Sequence, residues 1–217
     1  MKRQFGTYIK SETKSPFCRF LLLALVFLIL THPIGPFSLF SPFSFTPFSA
    51  PTPISASATF ELGFSPRGQS LNIILNGIRS AEDSIIVAAY SFTSRPISTA
   101  LVEAHRRGVN VRVIADARAN RNRHTAVKFL ASHGVPVRIN DRYAIFHHKF
   151  MIFDGRHVQT GSFNYSAAAV DRNTENVLLL RNVPEIAVLY IREWLRLWDE
   201  SIDVIPIRNQ MGVRLSY

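Results

Sequence analysis

His147-His148-Lys149-Phe150-Met151-Ile152-Phe153-Asp154-Gly155-Arg156-His157-Val158-Gln159-Thr160-Gly161-Ser162-Phe163-Asn164 is the stretch on which the reading of this chain turns. Two apolar, β-prone runs, within residues 144–153 and 158–163, flank Asp154-Gly155, a hairpin turn signal. Side chains two apart on a strand share a face. His147 and Lys149 are therefore expected to project together, with His148 opposite, and Ser162 and Asn164 to share a face on the neighbouring strand. One face of the hairpin then carries an imidazole, an ammonium, a hydroxyl and a carboxamide. That is a nucleophile or base beside three hydrogen-bond donors. The set suits a tetrahedral phosphate, whose negative oxygens need several donors aimed at them as a fifth bond forms.

Upstream, strand and helix alternate. Residues 60–64 read as a short strand ended by Ser65-Pro66, and Leu71, Ile74, Leu75 and Ile78 recur at helical spacing. The run 84–92 (SIIVAAYSF) has the composition of a buried strand. Ile97, Leu101, Val102 and Ala104 predict a helix ending at Arg107-Gly108, with Gly108 as its C-cap, before a strand at 109–114. A helix at 125–132 precedes a strand at 135–139. Downstream, 176–180 is strand-like, and 184–198 closes as a helix with Pro184 in its first turn. Its Ile186, Leu189, Tyr190, Trp194, Leu197 and Trp198 lie on one side, the two tryptophans as core or interface aromatics. The order predicts an α/β domain with a mixed β-sheet flanked by helices on both faces, over residues 59–217.

His147-x-Lys149-x4-Asp154-x6-Gly161-Ser162-x-Asn164 resembles, at every position, the signature of the phospholipase D superfamily. The remainder of 59–200 resembles the small bacterial endonucleases of that superfamily. The matching segments are Gly63-Phe64-Ser65-Pro66, Ala89-Tyr90-Ser91-Phe92-Thr93, Arg107-Gly108-Val109 and Asn173-x-Glu175-Asn176. The resemblance implies covalent catalysis with no metal and no cofactor. His147 attacks phosphorus, Lys149 and Asn164 bind the non-bridging oxygens, and Glu175 takes the proton on the far ring nitrogen of His147. Ser162 assists that network, and Asp154 is structural. A second histidine must serve the leaving group, yet the chain has one motif and no internal repeat. A two-fold homodimer supplies the missing imidazole.

The other titratable groups carry plainer readings. His148 occupies the variable position of the motif and is expected to pack. His105, His124, His133 and His157 share no spacing that would make a zinc set, and the single cysteine, Cys18, lies outside the domain. Asp116 follows a strand, but no Gly-x-Ser-x-Gly elbow or phosphate loop accompanies it.

The formal charge is +10, with five of the bases and one acid falling before residue 59. The excess concentrates at Arg106, Arg107, Arg112, Arg118, Arg121, Arg123 and Lys128, against Asp116 alone. Arg118, Arg121 and Arg123 are candidates to hold a nucleic-acid backbone, DNA foremost; a solvated basic face is the plain alternative. Phosphate contacts of that kind position a substrate without reading bases. Two other functions compete: a lipid phosphodiesterase, and a non-catalytic nucleic-acid-binding module. The first 58 residues read as an export leader: a basic lead-in, the apolar run 20–30 (FLLLALVFLIL), a Pro/Phe/Ser-rich stretch and Ala56-Ser57-Ala58 as a cleavage site. Secretion or periplasmic export follows; the alternative is a retained membrane anchor over 20–30.

Overall fold

The computed structural model describes residues 51–122, 124–209 and 212–216, with side chains from 51 to 205 except Arg123. The apolar run 20–30, Cys18 and Arg123 lie outside the described residues. The elements run β1 (Thr59–Ser65), α1 (Ser70–Ser80), β2 (Ser84–Ala89), α2 (Arg95–Arg106), β3 (Asn110–Asp116), α3 (Ala126–Ser132), β4 (Val137–Asn140), β5 (Lys149–Phe153), β6 (His157–Gly161), α4 (Ala167–Asp171), β7 (Glu175–Arg181), α5 (Pro184–Asp199) and β8 (Ile202–Asp203). A hairpin of β9 (Ile205–Asn209) and β10 (Gly212–Ser216) follows. Among the described residues no helix is long and apolar enough to cross a membrane.

Eight strands form one mixed sheet in the order β1-β7-β6-β5-β2-β3-β4-β8. β2, β3 and β4 are parallel, as helical crossovers require, while β5, β6 and β7 are antiparallel neighbours, β5 and β6 joined by a tight turn and β6 and β7 by a connection that carries α4. The helices that make the crossovers possible have identifiable ends. Ser94 caps α2 by accepting from the Ile97 amide, and Thr125 caps α3 by accepting from Val127.

Alternation along the strands divides the core in two. Val87, Val113, Met151, Val177 and Leu179 face α1, α2 and α3, through Ile74, Ile78, Leu101 and Leu130. Ala88, Ile114, Phe150, Ile152 and Val158 face α5 and its Val183, Ala187, Trp194 and Leu197. Helices thus cover both faces. Trp194 is fully buried, and its indole N–H donates to the Val87 carbonyl at 2.9 Å, so its one polar atom is satisfied.

Three expectations need correction, and one element was not foreseen. The strand expected at 144–153 begins at Lys149, because the backbone before it bonds to side chains instead of a neighbouring strand. The strand expected at 84–92 stops at Ala89, where β5 begins opposite it. Leu189 does not pack: it is 59% exposed on the outer side of α5. The short helix α4 was not signalled by any apolar period.

Candidate active site at one edge of the sheet

The register brings five strand ends to the same edge. Ala89 at the end of β2 pairs with Lys149 at the start of β5, and Ser65 at the end of β1 pairs with Glu175 at the start of β7. Gly161 ends β6 beside them. Lys149 is the first residue of β5, buried, with its ammonium donating to the His147 carbonyl at 2.8 Å. Burial lowers the Lys149 pKa, and the Glu175 carboxylate partly opposes that.

His147 itself is exposed and stands in a loop, not on a strand. Three contacts hold that loop. The buried Asp116 carboxylate accepts from the Phe146 amide at 2.8 Å and from the Ala119 amide at 2.6 Å. Arg118 donates to the Ala144 carbonyl at 3.2 Å. Tyr143 donates to Glu200 at 2.7 Å, within a network that includes Arg196. These side-chain partners take the place of a ladder, which is why the strand starts late. His148 also departs from expectation. It is exposed, although the Phe146 and Phe150 rings meet its edges at 5.4 Å each, and burial lowers its pKa.

On the other side of the edge, Ser162 donates to Glu175 Oε2 at 2.6 Å and accepts from the Asn176 amide at 3.0 Å. Asn173 donates to Glu175 Oε1 at 3.1 Å. Gly161 permits this closeness: its φ is +150°, and a Cβ there would run into the Asn176 carbonyl oxygen. Asn164, half-buried, has its Oδ1 buried with no hydrogen-bond partner among the described residues. No hydrogen bond joins Glu175 to His147 among the described residues. Both carboxylate oxygens are engaged by Ser162 and Asn173, and the His147 ring rests on Tyr90, centroids 4.8 Å apart.

Asp154 stands apart. It follows the far end of β5, about 16 Å from Lys149 at strand rise. Its carboxylate accepts from the amides of Glu82, Asp83 and Ser84 at 3.1, 2.8 and 3.1 Å. Burial alone would raise its pKa, but those amides outweigh it and hold the carboxyl below its ordinary value. Arg118 and Arg121 are exposed on the connection from β3 to α3, which leaves the same edge of the sheet; Arg123 is outside the described residues. Among the described residues no three His, Cys, Asp or Glu side chains converge as a metal site.

Sequence reasoning missed two residues. Tyr90 contacts both His147 and Lys149. Asn120, 2% exposed, ties the backbone at Tyr90 and Phe92 to the end of β3. Only the segment 89–93, singled out by resemblance, touched on the first. The second had no local signal.

A family model described as "Cardiolipin synthase, PLD-like domain" matches residues 74–198, more than half of the chain. The chain belongs to the phospholipase D superfamily. Among superfamily relatives, a Rickettsia conorii protein named Phospholipase D is 37% identical over 132 residues, covering 61% of this chain. The mouse Mitochondrial cardiolipin hydrolase is 33% identical over 131 residues, covering 60% of this chain. The alignments take in 66% and 59% of those relatives' lengths, less than two thirds of each. Among solved structures, the phospholipase D family member Nuc from Salmonella typhimurium superposes with a TM-score of 0.67 at 37% identity, covering 68% of this chain and 99% of Nuc.

Proposed function

We propose that this chain is a metal-independent phosphodiesterase that hydrolyses nucleic acid, DNA foremost, through a phosphohistidine formed at a site shared by two copies. The observation that carries the reading is the meeting of His147, Lys149, Ser162, Asn164 and Glu175 at one sheet edge, with Asp154 held elsewhere.

In this mechanism a ring nitrogen of His147 attacks phosphorus while the bond to the leaving oxygen breaks. The protonated His147 of a second copy gives its proton to that oxygen. The same imidazole then takes a proton from water, whose oxygen displaces His147 from phosphorus. Lys149 and Asn164 donate to the non-bridging oxygens, where charge grows. Glu175 steadies the His147 imidazolium. Its oxygens each keep a spare lone pair, so it can accept from His147 without releasing Ser162 or Asn173.

A homodimer is supported by the single motif and by uncovered apolar surface. Phe60, Leu62 and Phe64 of β1 are 69%, 50% and 59% exposed on the α5 side of the sheet. Nucleic acid is favoured by the basic connection carrying Arg118 and Arg121 beside the site. A lipid phosphodiester is the second reading, favoured by the names of the rickettsial and mouse relatives. We also propose that residues 1–58 direct export, with retention as an anchor over 20–30 the alternative. The amino-terminal residue of the protein recovered from its host decides between them.

The test of activity incubates the full chain, in excess chelator, with plasmid DNA, RNA or cardiolipin vesicles, beside His147→Ala. Cleavage of nucleic acid by wild type alone is expected. Lipid turnover alone selects the second reading. Binding without turnover sinks the enzyme.

A further inference from the structure

The ring of Tyr90 contacts both groups on which the proposed chemistry depends. Its centroid is 4.8 Å from that of the His147 imidazole, with the planes tilted by 60°, and 5.2 Å from the Lys149 ammonium. The first distance is that of an interacting aromatic pair, and the second lies within the range in which a cation is attracted to a ring face. Lys149 in turn bonds the His147 backbone, so the three residues close a triangle.

The ring is not adventitiously placed. Tyr90 directly follows Ala89, the β2 residue paired with Lys149. Its carbonyl accepts from Asn120 Nδ2 at 2.6 Å, while Asn120 Oδ1 receives the Phe92 amide at 3.0 Å and the Thr125 hydroxyl at 3.0 Å. A buried side chain thus fixes the backbone on both sides of residue 91. The expected orienter of His147, Glu175, makes no hydrogen bond to it in this arrangement. Tyr90 makes the ring contact instead.

We propose that Tyr90 is a positioning residue: its ring is a common platform that sets the His147 imidazole and keeps the Lys149 ammonium charged beside it. The proposal rests on the assignment of His147 and Lys149 above, but its physical content does not require turnover. The ring face carries negative electrostatic potential, so it favours the cation against a site whose burial disfavours it. The hydroxyl has no part in this.

Three variants of the full chain test it: Tyr90→Leu, Tyr90→Phe, and Tyr90 replaced by phenylalanines of increasing fluorination, which keep the ring's shape while draining its face of charge. The primary readout is NMR of Lys149 and of the His147 ring protons. In Tyr90→Leu the Lys149 titration is expected to move down by about half to one and a half pH units, the worth of a partly desolvated cation–π contact. The His147 ring protons are expected to lose the shift that a neighbouring aromatic imposes. Tyr90→Phe keeps both properties, and the fluorinated series lowers the Lys149 titration stepwise even where Tyr90→Leu is poorly folded.

With substrate, kcat falls about tenfold in Tyr90→Leu and the alkaline limb of the pH–rate profile moves down with Lys149, while Tyr90→Phe retains both. A Lys149 titration that stays put through the fluorinated series overturns the proposal. So does a Tyr90→Phe variant as perturbed as Tyr90→Leu, since that result assigns the role to the hydroxyl. A chain that turns over no substrate yet shows the NMR shifts leaves the platform standing and removes only the enzyme.

Discussion

Replacing Asp154 separates a motif residue that holds the fold from one that touches substrate. The carboxylate receives the amides of Glu82, Asp83 and Ser84 from the start of β2, at 3.1, 2.8 and 3.1 Å. A hydrogen bond to a charged group contributes about 1.5–3 kcal/mol and a neutral one about 0.5–1.5. Asp154→Asn keeps an acceptor but loses the charge, so each bond weakens by about 1 kcal/mol; partial exposure to solvent brings the total to about 2 kcal/mol. Asp154→Ala loses the acceptor for all three amides and leaves a residue at φ +51°, a left-handed conformation that costs alanine about 1 kcal/mol more than asparagine. A total near 4 kcal/mol is expected. At about 2–4 °C per kcal/mol for a chain of this size, the melting temperature falls by about 4–8 °C and 8–16 °C respectively.

The sign with pH follows from the depressed pKa. A carboxyl held below its unfolded value of 3.8 adds stability fully above that value and loses it as pH falls through the folded pKa. The gap between wild type and Asp154→Asn is therefore wide at neutral pH and closes in acid. Calorimetry across that range measures it, beside turnover well below the melting point, where both variants should stay within about threefold of wild type. An Asp154→Asn protein with an unchanged melting temperature and activity down a hundredfold refutes the reasoning, because it would put the carboxylate in the chemistry.

Three further outcomes are expected. Co-assembling equal amounts of wild type and His147→Ala should leave about a quarter of the wild-type activity if each site draws an imidazole from both copies, and about a half if it does not. His157 accepts the Asn182 amide at 2.9 Å, and burial, then Arg156 and Arg181, lower its pKa. The neutral ring therefore adds stability above pH 6.5 that fades as pH falls through the folded pKa, and His157→Gln should flatten urea midpoints over that interval. In a His147→Ala background that cannot cut, Arg118→Gln should lower the dependence of log affinity for duplex DNA on log salt by about 0.9, the value of one phosphate contact. An unchanged slope removes Arg118 from the DNA surface.

Periodicity carried most of the architecture because the elements it signals are held by burial. The apolar runs within 84–89 and 149–153 send alternate side chains into two separate cores, one on each face of the sheet, and both strands lie within those runs. It failed where backbone groups find side-chain partners. Residues 144–148 look β-prone, yet the Phe146 amide goes to Asp116 and the Ala144 carbonyl to Arg118, partners 30 and 26 residues away in sequence. No window of local sequence encodes such a bond. For the same reason His147 and Lys149 meet through a loop and a strand end, not through a shared strand face. Their proximity was foreseeable from the motif, but the geometry that produces it was not. Asn120 is the extreme case: a polar side chain, unremarkable in sequence, with four hydrogen bonds that fix the backbone beside the site.

Lys149 shows why the strand end matters more than the strand face. An ammonium has three N–H bonds. One is spent on the His147 carbonyl, and the cation also lies over the Tyr90 ring, so a phosphate oxygen competes for what remains of its donor capacity. Burial disfavours this charge, while Glu175, the ring face and the carbonyl dipole favour it. An incoming phosphate adds the strongest favourable interaction of all, because it is a full negative charge in a partly desolvated place. In the proposed mechanism the same cation therefore holds the His147 loop before substrate arrives and stabilises charge on phosphorus afterwards. A guanidinium cannot substitute: its planar fork points five donors in fixed directions and cannot cap a carbonyl, sit over one ring and leave a compact charge at the strand end.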